Sequence, residues 1–152
     1  LISLNEPVDS IVICGMGGPL MVKILQNSYE VWQSLHFAVL QPQSEAGILR
    51  RYLYQHGWHI EDERLVIDDG RFYEMMRAVP GQADALPDWL YDIGPVNWQR
   101  RDPLLSRKID ILMETKGHIL EGLEKSRKDV HERIEKIESE LRFWRELKCQ
   151  LP

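Results

Sequence analysis

The chain has 152 residues, 43% of them apolar, which is enough to bury a core within one domain or within one small domain with an appendage. Its net charge of −5 argues against a uniformly basic nucleic-acid-binding protein, but the charge is uneven: 8 basic and 14 acidic residues lie up to Pro103, against 11 and 10 from Leu104 onward. Two cysteines, and no apolar run near the roughly 20 residues of a membrane span, favour a cytoplasmic protein without a disulfide framework.

The first predicted element is a strand from Ser10 to Cys14, an apolar, β-branched run typical of a strand buried on both faces. It stops at a glycine loop, residues 15–18, and Pro19 suits the first turn of a helix whose apolar spacing continues to about Trp32. Ligands of open α/β sheets bind at the carboxyl ends of the strands, so the loop is a candidate site. A tight turn under a packed helix is the alternative, because the loop is neither a P-loop nor GxGxxG.

A second strand, His36–Leu40, ends at Gln41-Pro42-Gln43. Ser44 is a candidate N-cap for the helix that follows, and Gly57 is a typical glycine terminator of that helix. The order strand, helix, strand, helix predicts a parallel sheet with covering helices.

Two further strand-like runs, Trp58–Ile67 and Phe72–Val79, flank the turn sequence Asp68-Asp69-Gly70-Arg71. Asp-Gly is a strong hairpin signal, so an antiparallel pair is predicted to close the sheet. A linker up to Pro87 and a short helix over Asp88–Tyr91 follow.

The remaining residues have the composition of long helices. Two stripes recur at steps of three and four, and every position except Lys116 is apolar: Leu105, Ile109, Leu112, Lys116, Ile119, Leu123 and then Val130, Ile134, Ile137, Leu141, Trp144. Such stripes are typical of coiled coils. We predict an antiparallel hairpin of two helices with a turn near Lys125–Arg127, where Ser126 resembles a capping residue; one continuous rod is the alternative, since no glycine or proline enforces the break.

Taken together, three segments resemble the later part of a bacterial tRNA (adenine(22)-N(1))-methyltransferase, the TrmK family. These are VDSIVICGMGG, then VLQPQSEAGILRRYLYQHGWHIEDERLVIDDGRFYEMM, and YDIGP before the helical tail. The resemblance spans nearly the whole chain and depends on their ordered combination. It implies an α/β fold, a partial class I methyltransferase (Rossmann-like) sheet over residues 1–87, with a C-terminal antiparallel coiled-coil hairpin over residues 88–152.

The resemblance further implies S-adenosylmethionine as cofactor, tRNA as substrate, and methylation of ring nitrogen N1 of an adenine. The first three strands of the family, which hold most of the cofactor, have no counterpart in these residues. We therefore expect a longer parent protein to be the enzyme and the 152 residues alone to be inactive. Gln43 departs from the family's usual Gln-Pro-Asn, so no detailed role is assigned to it.

Methylation of adenine N1 depends mainly on positioning the base and the methyl group. Adenine N1 already carries an in-plane lone pair, so catalysis would come from aligning base and methyl group and from excluding water. The implied cofactor contacts are Gly15, Met16, Gly17 and Gly18. Met16, Gln41 and Pro42 are the candidates for positioning the base, and Gln41 offers both a donor and an acceptor. As alternatives, Met16 packs into the core and Gln-Pro is an ordinary strand exit.

RNA contact would come from local basic clusters, since phosphate contacts by Lys and Arg supply most of the affinity. The candidates are Arg50, Arg51, Arg100, Arg101, Arg107 and Lys108. A solvated surface is the alternative for each cluster. The five histidines show no metal-ligand spacing, so no metal is predicted.

Two other functions stay open at this point. One is a non-enzymatic interaction module that uses the coiled coil for RNA or protein binding, with self-association through the coiled coil or through an uncovered sheet edge. The other is a small Rossmann-like enzyme with a different nucleotide cofactor, which the missing phosphate fingerprint weakens.

Overall fold

A computed structural model of the chain describes residues 8–125 and 130–151. The chain forms two compact units, Leu1–Asp102 and Pro103–Pro152. The domain boundary expected between residues 87 and 88 stays a prediction, and the turn predicted near Lys125–Arg127 lies, from residue 126 on, outside the described residues. No helix within those residues is long and apolar enough to cross a membrane.

The strands and helices follow the predicted order, except that two short helices, Tyr29–Ser34 and Pro95–Gln99, were not predicted as separate elements. The strands are β1 (Ser10–Gly17), β2 (Phe37–Ser44), β3 (Trp58–Asp68) and β4 (Arg71–Pro80). The helices of the first unit are α1 (Gly18–Gln26), α2 (Tyr29–Ser34), α3 (Ala46–Gln55), α4 (Asp88–Ile93) and α5 (Pro95–Gln99). The helices of the second unit are α6 (Leu105–Glu124) and α7 (His131–Lys148).

The four strands form one mixed sheet in the order β1-β2-β4-β3. β1 and β2 are parallel, whereas β4 runs antiparallel to both β2 and β3. At the turn of the β3-β4 hairpin, Asp69 and Gly70 have φ values of 46° and 72°, and two successive positive φ angles match the twist of a hairpin. The predicted parallel start and the closing hairpin are thus confirmed.

The prediction that β1 is buried on both faces is wrong for the described residues. Ile11 and Ile13 point into the core and are each 8% exposed, but Val12 between them is 70% exposed. Alternate residues of a strand face opposite sides of a sheet, so only one face of β1 is covered by described elements.

Helices cover that one face of the sheet. Leu25 of α1 and the α3 residues Leu49 and Leu53 are fully buried. Trp32 of α2 stacks on Trp58 of β3 with ring centroids 3.8 Å apart. Packing of these large side chains holds the helices against the sheet.

The helix predicted to run to about Trp32 is divided into α1 and α2. The break lies at Asn27 and Ser28, and the Ser28 carbonyl accepts the N–H of Trp32 at 2.9 Å. Short polar side chains such as these compete with helical backbone bonds and favour helix ends.

The second unit contains the two long helices. Lys116 of α6 pairs with Glu140 of α7 at 2.5 Å, and Asp110 pairs with Lys148 at 2.5 Å. The earlier residue of α6 therefore pairs with the later residue of α7, and the later residue of α6 pairs with the earlier residue of α7. One position departs from the predicted stripe, because Ile119 is 46% exposed.

Two glycines lie within α6, and they offer a test of its helical state. At Gly117 an added Cβ would meet no heavy atom of residues 8–125 and 130–151 within 4 Å beyond the adjacent helical backbone. We expect Gly117→Ala to stabilise the second unit by about 0.5–1 kcal/mol, because alanine loses less backbone entropy in a helix than glycine. Urea unfolding followed by circular dichroism measures the change, and a loss of stability would contradict a regular helix at this position.

Candidate active site

The candidate site lies where the parallel strands β1 and β2 end side by side. Met16 of β1 is paired with Pro42 of β2, and Gly17 is paired with Ser44. The pairing is irregular between Cys14 and Met16 and again between Met16 and Gly17. Irregular pairing of this kind re-aims side chains and is frequent next to active sites. We call residues 15–18 together with residues 41–45 the glycine corner.

Gly15 is the extra residue of the irregular stretch. Its φ is 78°, in the left-handed region that favours glycine. Its N–H donates to the side-chain Oε1 of Gln41 at 3.0 Å, so the Gln41 amide replaces the strand partner that Gly15 lacks. Among the described residues outside its chain neighbours, a Cβ added at Gly15 would have only the Gln43 Nε2 atom within 4 Å, at 3.8 Å, so these residues leave this part of the backbone open to a ligand.

Gly18 is required for a different reason. A Cβ at this position would lie 2.3 Å from the carbonyl oxygen of Glu45, and one at Gly17 would lie 3.0 Å from the Ser44 hydroxyl. Glu45 itself has a φ of 51°, a strained value for a residue with a side chain. The last two glycines therefore let α1 and the start of α3 approach closely, which is the packing role foreseen as the alternative to a ligand role.

The predicted N-cap role of Ser44 is wrong. Ser44 is the last residue of β2, and Glu45 precedes α3 without a capping hydrogen bond from its side chain. The close approach of Gly18 fixes the backbone at this point, so the capping position falls on the residue with the left-handed φ.

The candidate positioning residues meet at this corner. Met16 is 36% exposed and is not part of the core of the described residues. Gln41 is half-buried beside Gly15, and Pro42 is buried opposite Met16. The structure therefore brings an exposed thioether, an amide and open glycine backbone together.

Arg50 lies in the interior of the first unit, which contradicts its predicted contact with RNA. Its guanidinium is fully buried and pairs with Glu63 at 2.6 Å and with Glu74 at 2.9 Å. It also donates to the Tyr91 carbonyl at 2.9 Å. Burial alone would lower the pKa of Arg50, but the two carboxylates outweigh it and raise the pKa above its ordinary value. All three guanidinium nitrogens of Arg50 donate hydrogen bonds within the protein, so Arg50 cannot reach a phosphate.

Sequence reasoning missed Glu63, the partner that explains this burial. Its second oxygen accepts the N–H of Val96 at 2.8 Å, so one carboxylate joins β3 to the first turn of α5. A Cβ at Gly94 would lie 2.6 Å from the same carboxylate. The only available signal was the two-residue alternation along β3, and an irregularity between Ile60 and Asp62 shifts that alternation by one residue.

The other predicted RNA contacts differ in exposure. Lys108 is 5% exposed, which removes it from the set of accessible cations. The side chains of Arg51 and Arg107 are 40% and 50% exposed and pair with Asp88 at 2.9 Å and Glu114 at 3.0 Å.

The adjacent pair Arg100 and Arg101 lies after α5. Arg100 pairs with Asp62; burial would raise the pKa of that carboxyl, but the hydrogen bond and charge of Arg100 prevail and lower it. Arg101 has a φ of 54°, and its guanidinium lies 4.7 Å from the centre of the Trp98 ring. A planar cation on an aromatic face is a surface on which RNA bases and phosphates can dock.

Within residues 8–125 and 130–151, no group of three or more His, Cys, Asp or Glu side chains could hold a metal ion. Cys14 and Cys149 are both free thiols.

Comparison with known proteins extends these observations. The chain is similar to a protein of the NADB-Rossmann superfamily from Streptococcus agalactiae, with a TM-score of 0.79 and 23% identity over 93% of this chain and 60% of that one. It is also similar to Streptococcus pneumoniae Sp1610 solved in complex with S-adenosyl-L-methionine, with a TM-score of 0.68 and 28% identity over 88% of this chain and 60% of that one.

The mixed sheet and its similarity to these solved structures define a Rossmann-like methyltransferase fold. A model of the family described as tRNA (adenine(22)-N(1))-methyltransferase, TrmK, matches residues 1–146. The chain belongs to this family, as the sequence motifs had indicated. The tRNA (adenine(22)-N(1))-methyltransferase of Bacillus subtilis (strain 168) is 35% identical over 80 residues, which are 53% of this chain and 34% of that protein. The chain thus spans about a third of that curated relative and three fifths of the solved structures.

Proposed function

We propose that the protein carrying these residues transfers a methyl group from S-adenosylmethionine to ring nitrogen N1 of an adenine in tRNA. The observation that supports this most is the family match over residues 1–146, together with an open glycine corner at the carboxyl ends of two parallel strands. A tRNA substrate also implies a cytoplasmic protein.

The glycine corner fits a small cofactor at Gly15 and Met16. Gly15 is exposed and has almost no neighbour where a side chain would be, so a ligand can reach its backbone. Gly17 and Gly18 would support this segment from behind, through their packing on Ser44 and Glu45. S-adenosylmethionine would supply an electrophilic methyl group on a sulfonium.

The residues of this chain would act on the target base by positioning it. Adenine N1 needs no general base, because its lone pair is available at neutral pH. Met16 offers an apolar contact to the face of a base turned out of the RNA. The rigid ring of Pro42, which is paired with Met16, would limit the movement of Met16. Holding the base in line with the methyl group and excluding water would supply most of the rate enhancement.

We also propose that α6 and α7 form an antiparallel coiled-coil hairpin that contacts tRNA. The opposite order of the pairs Lys116–Glu140 and Asp110–Lys148 supports the antiparallel arrangement. We further propose that strand β1, an edge strand of the described sheet, pairs with additional polypeptide, because exposed parallel edges invite such pairing.

The direct test is nucleoside analysis of tRNA incubated with S-adenosylmethionine and the full-length protein. We expect 1-methyladenosine and no other methylated nucleoside, with the 152-residue chain inactive by itself. Methylation at any other atom, or activity of the 152 residues alone, would contradict the proposal.

A second test concerns the accessible cations Arg101 and Arg107. We expect each charge reversal, Arg101→Glu and Arg107→Glu, to weaken tRNA binding. Each should also make the negative slope of log K against log salt less steep by about one, because each lost phosphate contact releases one counterion fewer. Titration of the full-length protein with tRNA at several salt concentrations measures both.

Lys23→Glu is the matched control, since Lys23 is an exposed lysine of α1 outside the proposed set. An equal effect of Lys23→Glu would mean that only net charge matters. A change in oligomeric state without a change in tRNA affinity would instead favour a protein-interaction module.

A further inference from the structure

The Gln41 side chain divides its two polar atoms between two tasks. A backbone N–H can only donate, so the atom 3.0 Å from the Gly15 nitrogen must be the amide oxygen of Gln41. This hydrogen bond fixes the orientation of the whole amide. The Nε2 atom of Gln41 must therefore point away from the Gly15 nitrogen.

The Nε2 atom has hydrogen-bonding capacity left over. An amide nitrogen carries two N–H groups. Within residues 8–125 and 130–151 its one hydrogen-bond partner is the Pro42 carbonyl, at 3.4 Å, which is near the outer limit for a hydrogen bond. At least one N–H of Gln41 is thus free for a ligand at the glycine corner.

The different roles of Oε1 and Nε2 bear on how Gln41 can recognise a base. Gln41 can therefore donate its free N–H to a ring acceptor of a base, whereas its oxygen already accepts from Gly15 and keeps one further lone pair. Apart from the reacting N1, the ring acceptors of adenine are N7 and N3. A donor at one of these atoms would fix the rotation of the ring in its own plane and so aim N1.

We propose that Gln41 is a positioning residue, whose Oε1 holds the Gly15 segment while its Nε2 donates a hydrogen bond to ring nitrogen N7 or N3 of the target adenine. The second half rests on the proposed methylation of adenine; the first half does not.

Two variants separate the contact of Gln41 with Gly15 from its contact with the base. Gln41→Glu keeps an oxygen that can accept from the Gly15 N–H but removes the donor, whereas Gln41→Met removes both at similar size. Gln55→Glu makes the same charge change at an exposed residue at the far end of α3 and serves as the control.

The base contact is tested with the full-length protein and synthetic tRNA in which the target is adenosine, 7-deazaadenosine or 3-deazaadenosine. For the wild type we expect one of the analogues to lower kcat/KM about tenfold, as loss of one hydrogen bond in a closed site does. For Gln41→Glu we expect a similar or larger loss with adenosine, mainly in kcat, and no further loss with that analogue. Gln55→Glu should behave as the wild type.

Independent losses from the variant and from both analogues would overturn the base contact, as would a Gln41→Glu effect confined to the KM for S-adenosylmethionine. The loop half is tested by amide hydrogen exchange at Gly15, which should be slow in the wild type and in Gln41→Glu and fast in Gln41→Met. Equal protection in all three would overturn that half. Failure of the wild type to form 1-methyladenosine would instead refute the proposed function and the base contact with it, while the exchange result would stand.

Discussion

Replacing Arg50 with methionine is expected to lower the free energy of unfolding of the first unit by about 3–5 kcal/mol, the usual cost of removing one partner from a buried ion pair. The substitution leaves the carboxylates of Glu63 and Glu74 in the interior without the cation that neutralises them. It also removes the donor to the Tyr91 carbonyl in α4. Urea unfolding followed by tryptophan fluorescence measures the effect, because four of the five tryptophans lie in the first unit.

The neighbouring residue provides a matched control. Arg51 makes an ion pair with Asp88 at an exposed position, so Arg51→Met should cost at most about 1 kcal/mol. If the two variants were equally stable, the buried network would not hold the unit together. In a third variant Arg50→Met is combined with Glu63→Gln and Glu74→Gln. It should recover part of the lost stability, since it removes the two carboxylate charges that Arg50 neutralises.

Replacing Gly18 with alanine is expected to abolish methylation by the full-length protein and to destabilise the first unit by about 3 kcal/mol. The new Cβ would lie 2.3 Å from the carbonyl oxygen of Glu45, a backbone atom that cannot rotate away. Overpacking of this kind costs about 1–3 kcal/mol and more where backbone must move. The displaced backbone would carry Gly15 and Met16 out of position. Urea unfolding and the methylation assay measure the two effects.

Gly122→Ala serves as the control, because an added Cβ at Gly122 in α6 would meet no heavy atom of the described residues within 4 Å beyond the adjacent helical backbone. This variant should be slightly more stable than the wild type, in contrast to the loss expected for Gly18→Ala. Normal activity of Gly18→Ala would show that the close approach of α1 to Glu45 does not shape the site.

Local patterns carried enough information to predict the sheet. The β-branched run before the glycine loop, the second apolar run ending at Gln41, and Asp69-Gly70 each act through neighbours in sequence. The glycines were correctly placed where β1 gives way to α1, but β1 runs on to Gly17 instead of ending at Cys14, and α1 begins at Gly18, so no separate loop lies between them. The pattern could not tell which glycine faces a ligand and which faces protein, because the contact of Gly18 with Glu45 joins residues 27 positions apart.

The interior position of Arg50 could not be predicted for a related reason. Arg50 and Arg51 are alike in sequence, and helical rotation alone separates the one that faces the sheet from the one that faces solvent. Burial of Arg50 becomes favourable only when Glu63 points inward, and that depends on the irregularity after Ile60, which shifts the alternation of β3. Without the shift, Asp62 would have been the inward-facing acid.

The most direct test of the central claim is a crystal structure of the full-length protein with S-adenosylhomocysteine. We expect the ligand sulfur to lie within about 4 Å of the backbone of Gly15 and Met16, on the side of the glycine corner that Gln41 borders. A ligand bound elsewhere, with the glycine corner open to solvent or filled by side chains, would contradict the claim.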